Sequence, residues 1–459
     1  MVDLCAKCCC APACIFGRFL PPRPLLPPHA RTPRPARGRG LPASPAPSAT
    51  MGIASKERPL FFPALDVVRG FAAVTVVMYH VIEYTEWRDF GRTWPTVWFR
   101  YGWMGVDIFF VLSGFVITLA ALRGYAATED KGAFRKQFAL ARLARIAPLH
   151  YLTCAVYLTL FARPLLTNAR RAAAHIAAHA LFVHNLTPQM LSSINGVNWS
   201  LAVELELYLI VMLLAGWLSR VRPGSVLACT LPVAWCWRAF AFVQGLGRAP
   251  APVHITWYYT TNVLGNADFF GVGAALALVA ASKGATRARC LFDRPAACAG
   301  LGAAVLAASF RVLAPRAGAY WDLWPMVVFF RTSTAIGWGL LIAAACGVPP
   351  RALRHPAAAP LLYIGTISYG VYLWHMMIVL ALQNAGTFAR PGLTAVLALA
   401  GSFAAAALSW HLFEQPCLKI IRWWAPGGGG KAKAEEAGLP CMAAGASRWP
   451  STWRSVQPP

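Results

Sequence analysis

The sequence predicts an all-α polytopic membrane protein with about ten transmembrane helices and both termini cytoplasmic. Three observations lead there. Of 459 residues, 58% are hydrophobic and only 13% charged, at a mean hydropathy of +0.51, which is more apolar surface than a soluble domain could hide. The apolar residues gather into runs near the roughly 20 residues that a helix needs to cross hydrocarbon. Lys and Arg, which give a formal net charge of +25, fall mostly in short segments between those runs, so they report orientation and not nucleic-acid binding.

Residues 1–50 are unlike the rest. Pro, Arg and Cys dominate, five of the 13 Cys (Cys5, Cys8, Cys9, Cys10, Cys14) crowd the first fourteen positions, and there is no apolar run of signal-sequence length. This composition reads as a disordered extension. Cys5 and Cys8 form a CxxC, but no second ligand pair completes a zinc site, and no spacing suggests a disulfide framework. The membrane domain is expected to occupy 51–424 and to begin naturally at Met51, which N-terminal peptides of the purified protein check. The Gly-rich tail, 425–459, reads as disordered.

Apolar runs place the first three spans at 67–84, 101–122 and 146–161. Lys56 and Arg58 precede the first, and Arg123, Lys131, Arg135, Lys136, Arg142 and Arg145 follow the second, so both ends are expected on the cytoplasmic side. Residues 172–190 are apolar but too short to cross without breaking the alternation; they are expected at the outer face as an interfacial or re-entrant helix. His175 and His179 stand there at i, i+4, a spacing that could ligate a metal but is more simply that of interfacial His. The next span runs from near Trp199 to Arg220 and Arg222. Further spans are expected at 225–243, 261–281, 295–313, 325–346, 361–382 and 392–413, with Lys283, Arg287, Arg289, Arg294, then Arg351 and Arg354, and finally Lys419 and Arg422 marking inner loops.

Polar residues inside these spans are costly in hydrocarbon and so point to function or to buried partners. In LDVVRGFAAVTVVMYH, Arg69 and His80 are eleven residues apart. Eleven steps of about 100° return to nearly one direction, so both side chains share a face, three turns or roughly 16 Å apart. That stripe reads as the lining of a polar path, with Asp66 placed to orient Arg69. Asp107, Glu204, Glu206, Asp268, Arg331, His375 and Glu414 add further intramembrane polar groups. Arg142 and Arg145, at RLARIAP, stand where the third span begins; such a pair either anchors a helix to anionic lipid or holds phosphates in its guanidinium forks.

RGFAAVTVVMYH, GVDIFFVLSGF, the RxxRIxP at Arg142 to Pro148, NWSLAVE, ISYGVYLWH and the terminal FEQP occur in one order. In these motifs the sequence resembles the acyltransferase-3 family of integral membrane acyltransferases, over about 59–424. The resemblance implies a multi-pass enzyme of the bacterial inner (plasma) membrane. Such an enzyme moves an acyl group, acetyl by default, from cytoplasmic acyl-CoA to a hydroxyl of an extracytoplasmic glycan or glycolipid. It implies no bound cofactor and no metal, with acetyl-CoA or another acyl-CoA as donor substrate and membrane lipid as surroundings. Its Arg-and-His signature, with ten residues between, maps onto Arg69 and His80 as catalytic residues. Arg142 and Arg145 match its RxxR motif for the donor, Glu414 and Pro416 its ExP motif, and Asp107 and Ser113 the GVDxFFxxSGF segment. Glu204 and His375 lie in further shared motifs.

Departures from the family pattern are Ala141 before Arg142, Leu205 after Glu204 and Asn266 before Asp268; the fine detail of donor binding rests on them. Some members append a soluble esterase-like domain; acceptor handling here is expected of the membrane part or of a separate protein. His80 is the natural general base for a sugar hydroxyl, with covalent acyl transfer through His80 as the alternative, and Arg69, Trp199 or Ser200 could serve as oxyanion donors. The competing reading is a proton-coupled transporter or flippase that uses the same buried charges without covalent chemistry.

Overall fold

The computed structural model describes residues 62–92, 96–246, 252–282 and 290–424. The expected extension 1–50, the start at Met51, the Cys5–Cys8 pair, the basic residues Lys56, Arg58, Lys283, Arg287 and Arg289, and the tail 425–459 lie outside them. Among the described residues no strand occurs. The principal helices are α1 (Ala64–Tyr84), α2 (Gly105–Ala127), α3 (Lys131–Leu160), α4 (Ala169–Ala180), α5 (Trp199–Leu218), α6 (Pro223–Gly245), α7 (Ala267–Ala281), α8 (Pro295–Leu313), α9 (Arg331–Gly347), α10 (Ala359–Asn384), α11 (Pro391–Ser409) and α12 (Gln415–Trp424).

Ten helical stretches among the described residues are long and apolar enough to cross a membrane, and they fall where the apolar runs place them. One start differs. The third span is expected from residue 146, yet α3 runs unbroken from Lys131, with the Asp130 carboxylate accepting the Gly132 N–H as its cap. KQFALARLARIA is a run of strong helix formers that needs no hydrocarbon to become helical. Arg142 and Arg145 therefore stand in mid-helix, with Pro148 one turn further on.

α1 packs along α10, α2 along α7, α6 along α7, and α8 along α9. Two glycines set how closely these helices approach. A Cβ on Gly365 would come 1.9 Å from the Asp66 carbonyl oxygen, and one on Gly273 would come 2.2 Å from that of Val111. Close backbone contact of this kind replaces hydrophobic driving force inside a bilayer. The α1–α10 contact holds the two helices that carry His80 and His375.

α4 has 12 residues, about 18 Å of helix, too short to span. His175 and His179 were expected at an interface; both are buried, as is His184 in the turn after α4. The exposed face carries Ile176 instead, followed by Leu181, Val183 and Leu186. The burial has a scaffold: His150 Nε2 on α3 donates to the His179 carbonyl (3.0 Å), and His184 Nε2 donates to the Asn198 carbonyl (3.0 Å). The His179 and His184 rings lie parallel, 4.1 Å apart and 6° from coplanar. Stacked rings cannot aim lone pairs at one ion, and among the described residues no group of three His, Cys, Asp or Glu converges as a metal site.

Burial pushes the His179 imidazole down to about 3, with His184 the next cause, and burial also lowers that of His184. The folded segment therefore resists protonation at these rings. Above about pH 6.5 the unfolded segment is neutral too, but below it the unfolded segment binds protons that the folded one refuses, so stability is lost as pH falls. Hydrogen exchange at pH 5, corrected for intrinsic rates, is expected to show weakened protection of residues 169–198 relative to pH 7.5, with less change in α7 and α9, which carry no His. Equal protection at both pH values would contradict this.

Candidate active site

A cavity of about 120 Å³ opens among α1, α2, α3, α5 and α10. Its polar wall carries Arg69, Arg142, Arg145, Glu204, Ser113 and Tyr208; its apolar wall includes Val106, Phe109, Phe110 and Leu201. Residues from five helices meet here because each helix turns its few polar positions inward, the only place where a bilayer tolerates them.

The three guanidiniums are held differently. Arg69 pairs with Asp66 one turn earlier, as the i, i+3 spacing allows. Arg145 Nη1 donates to Glu414 Oε2 (3.1 Å) and the guanidinium lies 5.3 Å over Tyr369 and 5.2 Å from the Trp410 ring. A π-helical turn, Trp410–Glu414, joins α11 to α12 and carries Glu414 at its end; such turns recur where function requires a side chain to be re-aimed. Arg142 forms no salt bridge among the described residues. It is buried, rests against the Phe138 ring, and its Nε has no hydrogen-bond partner. A buried guanidinium left so open is costly unless something anionic completes it.

Opposite the arginines, Ser113 Oγ and Tyr208 OH both donate to Glu204 Oε1, at 2.7 and 2.6 Å. Ser200 Oγ lies 2.8 Å from Tyr372 OH, which donates to the Val197 carbonyl (2.9 Å). Trp199 packs edge-on against Phe110 and Trp257, and is not part of the cavity wall.

His80 does not share the cavity with Arg69, as one continuous polar path would require. It is not among the cavity-lining residues; His375 Nε2 lies 3.2 Å from its Nδ1, and the His375 ring lies 5.7 Å from that of Tyr372, which does line the cavity. His80 Nδ1 also lies 2.9 Å from the Val76 carbonyl, and His375 Nδ1 lies 2.6 Å from the Tyr372 carbonyl.

Asp107 is likewise turned away. It pairs with Arg331, whose Nη2 also donates to Asn266 Oδ1 (2.8 Å). Beside them Arg238 makes a bidentate pair with Asp268, Nη1 to Oδ2 at 2.9 Å and Nη2 to Oδ1 at 2.6 Å, while Thr332 Oγ1 donates to Asp268 Oδ2 (2.5 Å). This fully buried cluster ties α2, α6, α7 and α9 together and does not line the cavity. Asp107 is thus a structural partner of Arg331 and not a wall of the site.

The sequence matches the acyltransferase-3 model, described as an acyltransferase domain, over residues 62–413. The chain belongs to the acyltransferase-3 family. Among family relatives it is 28% identical over 392 residues to the peptidoglycan O-acetyltransferase OatA of Listeria monocytogenes, covering 78% of this chain and 56% of that protein. It is 27% identical over 393 residues to the YrhL protein of Bacillus subtilis, covering 78% and 55%. A shorter match, 26% over 183 residues, joins it to the O-acetyltransferase OatA of Staphylococcus aureus, covering 37% and 27%. The chain thus spans about half the length of the curated relatives it matches most fully. No solved structure matches it.

Within the family frame, sequence reasoning missed Tyr208, Tyr369, Tyr372 and Arg238. Tyr208 carried a signal, four residues after Glu204 and so on the same helical face. Arg238 carried one too, as a lone cation inside the apolar run of α6. Tyr369 and Tyr372 lie in a motif already singled out for His375, but nothing local distinguishes a wall tyrosine from a packed one.

Proposed function

We propose that this chain transfers an acyl group, acetyl by default, from cytoplasmic acyl-CoA to a hydroxyl of an extracytoplasmic glycan, and that it does so as a multi-pass protein of the inner membrane. The observation that carries the reading is the juxtaposition of an arginine-lined cavity, with Arg142 outside any salt bridge among the described residues, and an imidazole pair next to Tyr372 of its lining. The relatives named for peptidoglycan O-acetylation favour a cell-wall glycan as acceptor. The same reading has both termini in the cytoplasm, supported by Arg123, Lys131, Arg135, Arg220, Arg294 and Arg351 at alternate ends of the spans.

In this mechanism the arginines bind the anionic phosphates of the donor, with the free fork of Arg142 as the main contact, and the pantetheine arm carries the thioester from there toward His80. The acceptor hydroxyl gives its proton to His80 as its oxygen attacks the thioester carbonyl. The carbon–sulfur bond breaks, and the coenzyme A thiolate leaves with the proton that His80 returns. Tyr372 lines the cavity and neighbours His375, so the acyl end reaches His80 past this ring.

Two measurements test the reading. Purified protein in proteoliposomes, given radiolabelled acetyl-CoA and soluble glycan fragments from lysozyme-digested peptidoglycan, is expected to release coenzyme A and label the glycan. Uptake of label without coenzyme A release would favour the transporter reading instead. Arg142→Lys keeps the charge but loses the planar fork, so the KM for acetyl-CoA is expected to rise on the order of tenfold, with kcat changing less. An unchanged KM would remove Arg142 from donor binding.

A further inference from the structure

The hydrogen atoms of the His80–His375 pair can be assigned from their partners. The Tyr372 carbonyl can only accept, so His375 Nδ1, 2.6 Å away, carries a hydrogen and donates it. A neutral His375 then presents a bare Nε2 lone pair to His80 Nδ1 at 3.2 Å. Independently, the Val76 carbonyl, 2.9 Å from His80 Nδ1, also requires a hydrogen there. The two constraints agree. A His375 protonated on both nitrogens would need a bare His80 Nδ1, whose lone pair would then face the Val76 oxygen. His80 therefore carries its hydrogen on Nδ1, shared between Val76 and His375, and its Nε2 is the free lone pair. His375 itself is fully buried, whereas His80 keeps partial exposure.

We infer that His375 is a positioning residue for the reaction: it accepts the His80 Nδ1 hydrogen, holds the ring with Nε2 toward the acceptor hydroxyl, and shares the positive charge that His80 gains on taking the proton. This rests on the acyltransferase reading above. A backbone carbonyl such as Val76 fixes a hydrogen in place but moves rigidly with its own helix. His375 comes from α10 and thus ties the base to the helix whose Tyr372 closes the donor cavity. The proton balance is closed: the hydroxyl hydrogen goes to His80 Nε2, His80 Nδ1–H stays bonded toward His375, and the Nε2 proton goes to the departing thiolate.

The test compares wild type, His375→Ala and His375→Gln as full-length protein in proteoliposomes, with radiolabelled acetyl-CoA and the same lysozyme-derived glycan fragments. His375→Ala is expected to lower kcat on the order of a hundredfold, within the range of general-base effects, and to leave the KM for acetyl-CoA unchanged. His375→Gln, whose side-chain carbonyl can accept from His80, is expected to recover at least part of that loss. Turnover of His375→Ala equal to wild type would overturn the inference, and so would Gln performing no better than Ala. A second readout does not depend on turnover. In protein labelled with 15N-histidine, both His80 and His375 are expected to show a protonated Nδ1 and a bare Nε2, and His375→Ala is expected to shift the His80 Nδ1 resonance. The opposite tautomer on either ring, or an unmoved resonance, sinks the inference even if catalysis is never seen. Failure of wild type to release coenzyme A, with the tautomers as assigned, would count against the acyltransferase reading alone.

Discussion

His80→Ala is expected to slow acetyl-CoA-dependent glycan acylation by roughly 10²–10⁴-fold while leaving the protein folded and its donor affinity near wild type. The expectation follows from where His80 sits. It lies outside the lining of the arginine cavity, so its removal deletes no arginine contact there. Its Nδ1 bonds are to Val76 on its own helix and to His375, and the close fit of α1 on α10 is made by Gly365 against the Asp66 backbone, about four turns away. Arg69→Ala is the contrasting variant. It opens the donor cavity and strands Asp66, so it is expected to raise the KM for acetyl-CoA as well as lower kcat. Coenzyme A release at verified equal protein levels separates the two. Wild-type turnover in His80→Ala would move the base elsewhere, with Glu204, bonded to Ser113 and Tyr208 in the cavity, the next carboxylate to test.

Much of this architecture was legible in the sequence because the bilayer imposes it. A span must be helical and about 20 residues long, so an apolar run fixes both element and limits. Where helix continued beyond hydrocarbon that constraint was absent, and α3 began fifteen residues before the expected start of its span at 146. Facing was legible only within one helix. The period of α1 placed Arg69 and His80 on one stripe, but whether one cavity reaches both depends on side chains from other helices, and no spacing encodes that. The same holds for partners across the bundle. Asp107 and Arg331 are 224 residues apart, and Arg145 and Glu414 are 269 apart, so each was visible as an unexplained charge and neither pairing could be read. The His of α4 show the same limit: the segment was expected at an interface from its length and the alternation of the spans, and nothing in it showed that α3 and the Asn198 turn would bury the side chains.

The largest effect on stability is expected at Asp268. Its carboxylate receives both Arg238 nitrogens and the Thr332 hydroxyl with no exposure to solvent, so Asp268→Leu leaves the Arg238 guanidinium buried without its counter-charge. Removing one partner of a buried pair costs about 3–5 kcal/mol, whereas replacing both with apolar residues of similar volume is often near neutral. Asp268→Leu is therefore expected to lower the thermal midpoint in detergent strongly, or to prevent accumulation, and the double variant Arg238→Met, Asp268→Leu is expected to recover most of the loss. Arg331 sharpens the comparison, because it lies beside the same cluster and its own partner is Asp107. If the pairs are independent, Asp107→Leu is rescued only by Arg331→Met, and each double variant restores its own pair. If the four charges act as one network, neither double variant suffices, because each leaves the remaining pair without neighbours that help hold it in low dielectric. In both cases the cavity arginines keep their own contacts. A protein rescued in stability should therefore regain acyl transfer, which separates a structural charge cluster from a catalytic one: recovery of the fold without recovery of turnover would place Asp268 or Arg238 in the reaction itself.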